Sequence, residues 1–244
     1  MDNLFIGTSG WSYDGWAGDF YPEEIDKVDM LDYYVDQFKS VEINATFYRL
    51  PFDNMVKGWS NKAPEGFQYS VKAPRQITHY DKLDADRDYL NDFYERIDGL
   101  DDHLGPILWQ LPPSLEKDMN RLKSFLEIID TNLSNAIEFR DETWLDDEVY
   151  SELESNGVVS VAISSDSMPA SFQDTGNFIY YRFHGLGEGH NYNYSKKELD
   201  EWADRCAKAL DEGKKAYVYF NNTSSGDAPM NAKVFSDMVE RKTE

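Results

Sequence analysis

Eight short strand-like segments, most of them separated by helical patterns of ten or more residues, constrain the fold of this chain more than any other feature. The segments cover residues 4–7, 40–44, 67–72, 106–111, 135–140, 158–164, 178–184 and 216–222. Strands that alternate with helices form parallel sheets, and the simplest closed arrangement of eight is a (β/α)8 TIM-type barrel. We therefore predict an α/β fold in which residues 1–244 form one domain. An open, doubly wound sheet is the alternative, but the turn after the first strand lacks a convincing phosphate-binding glycine pattern.

Apolar periodicity and capping residues predict the helices. Apolar residues recur every three to four positions over 28–38, 87–100, 120–129 and 144–156. Ser195 and Glu198 form a capping-box pattern at the start of a helix that Gly213 ends, and Pro229 suits the first turn of a last helix. Residues 165–177 have no apolar period, so we predict a weak or missing helix between strands six and seven.

The chain is strongly acidic, with a formal net charge of -22. The acidic residues are spread over nearly every predicted helix, which is typical of an acidic protein that stays in solution in a salt-rich, halophile-like cytoplasm. The negative field of such a protein repels phosphates, so broad nucleic-acid binding is disfavoured.

The single cysteine, Cys206, excludes an intramolecular disulfide and is expected to be a buried apolar residue. There is no long apolar run and no leader pattern, so we expect no membrane partner and a cytoplasmic location.

Polar side chains alternate with apolar ones at the carboxyl ends of the predicted strands. In the second strand, Val41 and Ile43 alternate with Glu42 and Asn44. If the apolar residues face the helices, the polar ones face the barrel interior. Seven strands repeat this pattern at the end where barrel enzymes carry their active sites, so we expect a site there. For any single residue a structural role is an equally good explanation; Glu138, for example, can simply pair with Arg140 or Arg182.

The residue types at this end favour an enzyme that acts on a small anionic or sugar-like molecule, including phosphorylated ones, without a cofactor. The candidates for acid–base catalysis are Glu42, Glu138, His184 and Lys72. The candidates for ligand binding are Asn44, Tyr48, Arg75, Gln110, Arg140, Asp166, Arg182, Tyr219, Asn221 and Trp11. Arginine forks match carboxylate or phosphate, and we assign Arg140 and Arg182 to the anion. His79, on a loop at the same end, is a weaker candidate for contacting the ligand.

Several stretches resemble the YecE-like family, the domain-of-unknown-function family numbered seventy-two. They include Val41-Glu42-Ile43-Asn44-Ala45-Thr46-Phe47-Tyr48, Leu108-Trp109-Gln110-Leu111-Pro112-Pro113, Ala136-Ile137-Glu138-Phe139-Arg140 and Tyr181-Arg182-Phe183-His184-Gly185. The resemblance covers almost the whole chain and implies a TIM-type barrel. It implies little chemistry, although the family's barrel looks similar to those of apurinic endonucleases and xylose isomerase-like enzymes.

One alternative function is a sugar isomerase or epimerase that depends on a divalent metal such as Mg or Mn. The candidate metal ligands would be Glu138, Asp166 and His184, in the order that xylose isomerase-like epimerases use. Against this, Asn221 stands where a fourth carboxylate is wanted, and Arg140 and Arg182 would crowd a cation.

A second alternative is a protein that binds or repairs nucleic acid. Arg75, Arg140 and loop tryptophans such as Trp11 could hold a single strand or a flipped base. A three-zinc site of the endonuclease kind needs many histidines, and this chain has four.

Overall fold

The computed structural model describes residues 2–187 and 189–243. Strands and helices alternate along this part of the chain, as predicted. The strands are β1 Leu4–Thr8, β2 Ser40–Ile43, β3 Gln68–Lys72, β4 Leu104–Gln110, β5 Asn135–Glu138, β6 Val159–Ser160, β7 Ala162–Ser165, β8 Phe178–Gly185 and β9 Lys215–Phe220. The helices are α1 Met30–Val35, α2 Ala45–Tyr48, α3 Asp53–Lys62, α4 Arg87–Asp98, α5 Met119–Leu126, α6 Asp147–Ser155, α7 Lys196–Asp211 and α8 Asp227–Thr243.

The strands form two sheets. One has the order β1-β9-β8-β7, in which β1 and β8 each run parallel to β9. The other has the order β2-β3-β4-β5-β6, with parallel pairing from β3 to β6. The predicted α/β class with parallel sheets is therefore confirmed.

The chain divides into two compact units. Unit 1 consists of Met1–Glu42, Ile163–Ala170 and Asn177–Glu244, and unit 2 of Ile43–Ala162 and Ser171–Gly176. In unit 1, Phe183 and Phe220 stack with their ring centroids 4.4 Å apart. In unit 2, the buried Trp109 packs edge-on against Phe125 at 5.0 Å. Each unit thus has its own aromatic core, whereas the assignment of 1–244 to one domain stays a prediction.

Side-chain caps explain where most of the predicted helices begin. The capping box between Ser195 and Glu198 is present at the start of α7. Asp86, Asp118 and Asp146 accept backbone hydrogen bonds at the starts of α4, α5 and α6. These caps satisfy N–H groups that a helix cannot pair internally.

The predicted sixth strand, 158–164, is split into β6 and β7. Beside the split, the hydroxyl of Thr175 accepts from Ser160 N and donates to Val158 O, both at 2.8 Å. A side chain therefore takes the place of a neighbouring strand along this edge of β6. The segment between β7 and β8 contains no helix, as predicted.

Two helical segments after β2 and β3 were expected to be loops. The short helix α2 follows β2 directly, and a single π-helical turn, Gln76–Tyr80, follows β3. The turn is closed by Asp81 N donating to Gln76 O, and Gln76 Nε2 donates in return to Asp81 Oδ1, both at 2.8 Å. Single π turns interrupt regular geometry and occur frequently at functional sites.

Gly7 allows the backbone of β1 to approach β2 within unit 1. A Cβ atom at Gly7 would lie 2.0 Å from the carbonyl oxygen of Ser40, which is a backbone atom that cannot rotate away. Only glycine fits this position without moving a strand.

We predict that Gly7→Ala lowers the free energy of unfolding by about 1–3 kcal/mol, because one of two backbones must shift to admit the methyl group. Chemical denaturation measures the change. The matched control is Gly58→Ala in α3, where a Cβ meets no heavy atom within 4 Å. This substitution should stabilise the protein by about 0.5–1 kcal/mol, because alanine favours a helix interior. Equal stability of Gly7→Ala and wild type would contradict the close approach.

Candidate functional site

The ends of β4 and β5 bring a buried carboxylate together with an amide and a guanidinium in unit 2. Gln110 and Glu138 are register partners, so their side chains lie side by side. Oε1 of Glu138 accepts from Gln110 Nε2 at 2.7 Å and from Arg140 Nη1 at 3.0 Å. Glu138 is fully buried, whereas Arg140 keeps 24% of its side chain exposed. The guanidinium thus reaches from a buried carboxylate toward solvent.

Helix α2 and the π turn add aromatic and imidazole groups to this end of the strands. Thr46 Oγ1 donates to the carbonyl of Lys72 at 2.7 Å, which fixes α2 against the end of β3. Lys72 Nζ lies 4.2 Å from the centroid of the Phe47 ring, within cation–π distance. The ring of His79 meets the same Phe47 ring edge to face at 4.9 Å. Phe47 therefore contacts both a cation and an imidazole.

His79 is surrounded by positive charge. Burial, followed by the charges of Lys72, Arg140 and Arg75, lowers its pKa from the ordinary 6.5 to about 4, while Glu138 opposes this shift. The imidazole is thus neutral at pH 7 and able to accept a proton. We call Lys72, Arg75, His79, Gln110, Glu138 and Arg140 the unit 2 cluster.

Arg75, in the same cluster, lies within cation–π distance of two tyrosines. Its guanidinium carbon is 5.6 Å from the ring centroid of Tyr48 and 5.4 Å from that of Tyr80. Among the described residues, Arg75 forms no salt bridge with a carboxylate.

Asn44, which follows β2 in unit 2, carries an unsatisfied acceptor. Its Oδ1 atom is buried, and no hydrogen-bond donor in the described part of the chain reaches it. Buried polar atoms are nearly always paired, so this oxygen is available to a bound hydroxyl or water.

Unit 1 contains a second set of polar side chains, which are hydrogen-bonded around the fully buried Glu42. Arg182 donates to it twice, from Nε to Oε2 at 2.9 Å and from Nη2 to Oε1 at 2.7 Å. Ser9 Oγ donates to Oε1 at 2.8 Å, and Tyr180 OH to Oε2 at 2.7 Å. Burial and the neighbouring carboxylate raise the pKa of Tyr180 well above its usual range. Both oxygens of Glu42 are therefore occupied by donors from the protein itself. We call Ser9, Glu42, Tyr180, Arg182, His184 and Asn221 the unit 1 network.

His184 continues this network. Its Nε2 lies 3.1 Å from Nη1 of Arg182, and its Nδ1 lies 3.0 Å from the side-chain amide of Asn221. A guanidinium can only donate, so Nε2 accepts and the proton of a neutral imidazole is on Nδ1. The amide of Asn221 then has to turn its oxygen toward Nδ1. His184 is thus a hydrogen-bond acceptor toward Arg182.

The other sequence-predicted residues of unit 1 make different contacts. The hydroxyl of Tyr219 lies 2.5 Å from Ser40 Oγ, in the interior. Asp166 is exposed, and its carboxylate accepts from Gly187 N. The carbonyl of Trp11 accepts from Tyr21 OH at 2.6 Å.

The metal alternative needs a set of carboxylates and imidazoles that converge on one point. Within residues 2–187 and 189–243, no group of three or more His, Cys, Asp or Glu side chains is arranged to hold a metal ion.

No helix in the same ranges combines the length and the apolar character needed to cross a membrane.

Sequence reasoning gave His79 little weight and did not single out Phe47 or Tyr80. The positions of His79 and Tyr80 depend on the π turn, and that of Phe47 depends on the short helix α2. No local sequence pattern marks such a turn. The only available signal was the position of His79 shortly after a strand end.

Comparison with known proteins identifies the family. A family model described as a protein of unknown function, DUF72, matches residues 5–244. The UPF0759 protein YunF of Bacillus subtilis is 25% identical, over 97% of this chain and 95% of the relative. The UPF0759 protein YecE of Escherichia coli K12 is 26% identical, over 56% of this chain and 48% of the relative.

Solved structures agree with this assignment. A DUF72 family protein from Thermotoga maritima is 30% identical, with a TM-score of 0.84 over 97% of this chain and 99% of the other. A glycoside hydrolase family 5 enzyme from Prevotella bryantii, 11% identical, matches with a TM-score of 0.52 over 100% of this chain and 96% of the other. The second likeness concerns the fold alone, and together the two support the predicted TIM-type barrel. The chain belongs to the DUF72 family of proteins of unknown function.

Proposed function

We propose that the unit 2 cluster binds a small anionic molecule, such as a sugar phosphate or a carboxylate, and that the protein is an enzyme that performs acid–base chemistry on it. One observation carries the proposal: on a strongly acidic protein, a neutral imidazole lies close to three cationic side chains, and the ring that contacts it also contacts Lys72.

The charge balance of the cluster favours an anionic ligand. Lys72, Arg75 and Arg140 all lie close enough to His79 for their charges to lower its pKa, and Glu138 opposes them. Three of the four charged groups that act on this imidazole are therefore positive. A phosphate or carboxylate from a ligand would form charge-assisted hydrogen bonds with these cations.

The cluster also contains groups suited to proton transfer. Neutral His79 can accept a proton from a bound molecule, and Lys72 can donate one. Glu138 is hydrogen-bonded to Gln110 and Arg140, so we assign it the positioning of Arg140. The buried acceptor of Asn44 suits a ligand hydroxyl.

The unit 1 network has a different role in this proposal. Both oxygens of Glu42 are hydrogen-bonded, and Arg182 is held in two-point contact with it at 1% exposure. We therefore assign the anion-binding role to Arg140 and Arg75 rather than to Arg182, and assign Glu42 and Arg182 to stability.

We predict that Arg75→Gln and Arg140→Gln each weaken the binding of inorganic phosphate by about tenfold, because each removes a charge-assisted hydrogen bond. Binding is followed through the ring resonances of His79. The matched control is Arg96→Gln, which removes one positive charge from α4 of the same unit, where Arg96 pairs with Asp53. Wild-type phosphate affinity in both cluster variants, with circular dichroism unchanged, would overturn the anion site.

The titration of His79 provides an independent test. By NMR its pKa should lie near 4, and Arg75→Gln should raise this pKa because one repelling charge is gone. Bound phosphate should raise the pKa as well, since an anion stabilises imidazolium.

The same pKa shift makes stability depend on pH. Because folding lowers the pKa of His79, the unfolded chain binds more protons than the folded one below pH 6.5, so acidification toward pH 4 lowers the free energy of unfolding. His79→Asn should remove this part of the pH dependence. A His79 pKa near 6.5 that does not respond to phosphate contradicts the cluster.

We predict that Glu42→Gln lowers the free energy of unfolding by about 3 kcal/mol or more, because it leaves the buried Arg182 without a charge partner. The matched control is Glu201→Gln, in the exposed pair with Arg205 on α7. That change should cost about 0.5 kcal/mol or less. If the two variants unfold at the same denaturant concentration, the buried pair has no special role in stability.

A further inference from the structure

Exposed aromatic rings beside the unit 2 cluster point to the class of ligand. Tyr48 is 65% exposed and Tyr80 is 61% exposed, so each ring leaves most of its surface in water. Isolated exposed apolar residues are common and need no explanation. These two, however, both face the guanidinium of Arg75, at 5.6 Å and 5.4 Å.

Helix α2 and the π turn each carry one ring of an outer layer, Tyr48 or Tyr80, and one ring of an inner layer, Phe47 or His79. Phe47 and Tyr48 are neighbours in α2, and His79 and Tyr80 are neighbours in the π turn. The inner members, Phe47 and His79, contact each other within the cluster. The outer members contact Arg75. In each of these two pairs of neighbouring residues, one side chain faces the cluster and the other faces solvent.

The outer layer has the composition of a stacking platform. Arginine stacks on aromatic faces through its planar, weakly hydrated guanidinium. Nucleobases stack on tyrosine and arginine planes in the same way. Two tyrosines and one arginine therefore offer flat surfaces at the edge of a site that already favours an anion.

We propose that the ligand of the unit 2 cluster is a nucleoside monophosphate whose base stacks on Tyr48, Arg75 and Tyr80 while its phosphate lies among the cluster's cations. This inference rests on the proposed anion site. A free mononucleotide is favoured over a nucleic-acid strand because a protein with a net charge of -22 repels a polyanion.

Calorimetric titration with four probes tests the inference: inorganic phosphate, ribose 5-phosphate, adenosine 5′-monophosphate and a short single-stranded oligodeoxythymidine. We expect the adenosine nucleotide to bind about tenfold more tightly than ribose 5-phosphate, because base stacking adds to the phosphate contacts. Tyr48→Ala and Tyr80→Ala should each remove most of this difference and leave the affinity for phosphate unchanged. Tyr48→Phe should keep it, since the ring remains.

The matched control is Phe52→Ala, which removes another exposed aromatic of unit 2, one that contacts Arg49 instead of Arg75. This variant should bind all four probes like wild type.

The outcomes separate the two proposals. Equal affinity for ribose 5-phosphate and the adenosine nucleotide, with phosphate binding intact, overturns the stacking inference and leaves the anion site standing. Failure of phosphate, ribose 5-phosphate and the nucleotide to bind overturns both. Tighter binding of the oligonucleotide than of the mononucleotide, with a steep salt dependence, shows that the ligand is a strand and rejects the free nucleotide.

Discussion

The buried ion pair between Glu42 and Arg182 is the constraint on which the arrangement of unit 1 depends. Removing both charges from water costs several kcal/mol for each ion, so the pair persists only if hydrogen bonds satisfy it. Ser9 at the end of β1 and Tyr180 on β8 supply two further donors to Glu42. A slip of one residue in either strand would turn its donor away from the carboxylate. The pair therefore specifies register as well as stability.

The same residue types produce the opposite electrostatic result in unit 2. Glu138 and Arg140 also pair, but Arg140 is partly exposed and two further cations, Lys72 and Arg75, lie nearby. The unit 1 network pairs one carboxylate with one guanidinium out of water, whereas the unit 2 cluster brings three cations near His79 and leaves Arg140 partly exposed. A buried pair suits a structural role, and a partly exposed group of cations suits the binding of an anion. This difference separates residues that look equivalent in the sequence.

Strand periodicity was sufficient to predict the alternating α/β fold and the burial of Glu42, Glu138 and Arg182. It could not decide whether Glu138 pairs with Arg140 or with Arg182, because alternation determines the face of a strand and not its neighbours. Nor could it predict that the hydroxyl of Thr175 bonds to Ser160, fifteen residues away, beside the split of the sixth strand. The positions of His79 and Tyr80 depend on a π turn closed by one backbone and one side-chain hydrogen bond between Gln76 and Asp81.

Aromatic rings lie against two of the three cations of the unit 2 cluster. The ring of Phe47 lies against Lys72, and those of Tyr48 and Tyr80 lie against Arg75. A ring face attracts a cation through its quadrupole and, unlike a carboxylate, adds no negative charge. Phe47 also packs edge to face against His79, and burial is the largest cause of the lowered pKa of this imidazole. The side chain that contacts Lys72 therefore also helps to exclude water from His79, which favours the neutral imidazole.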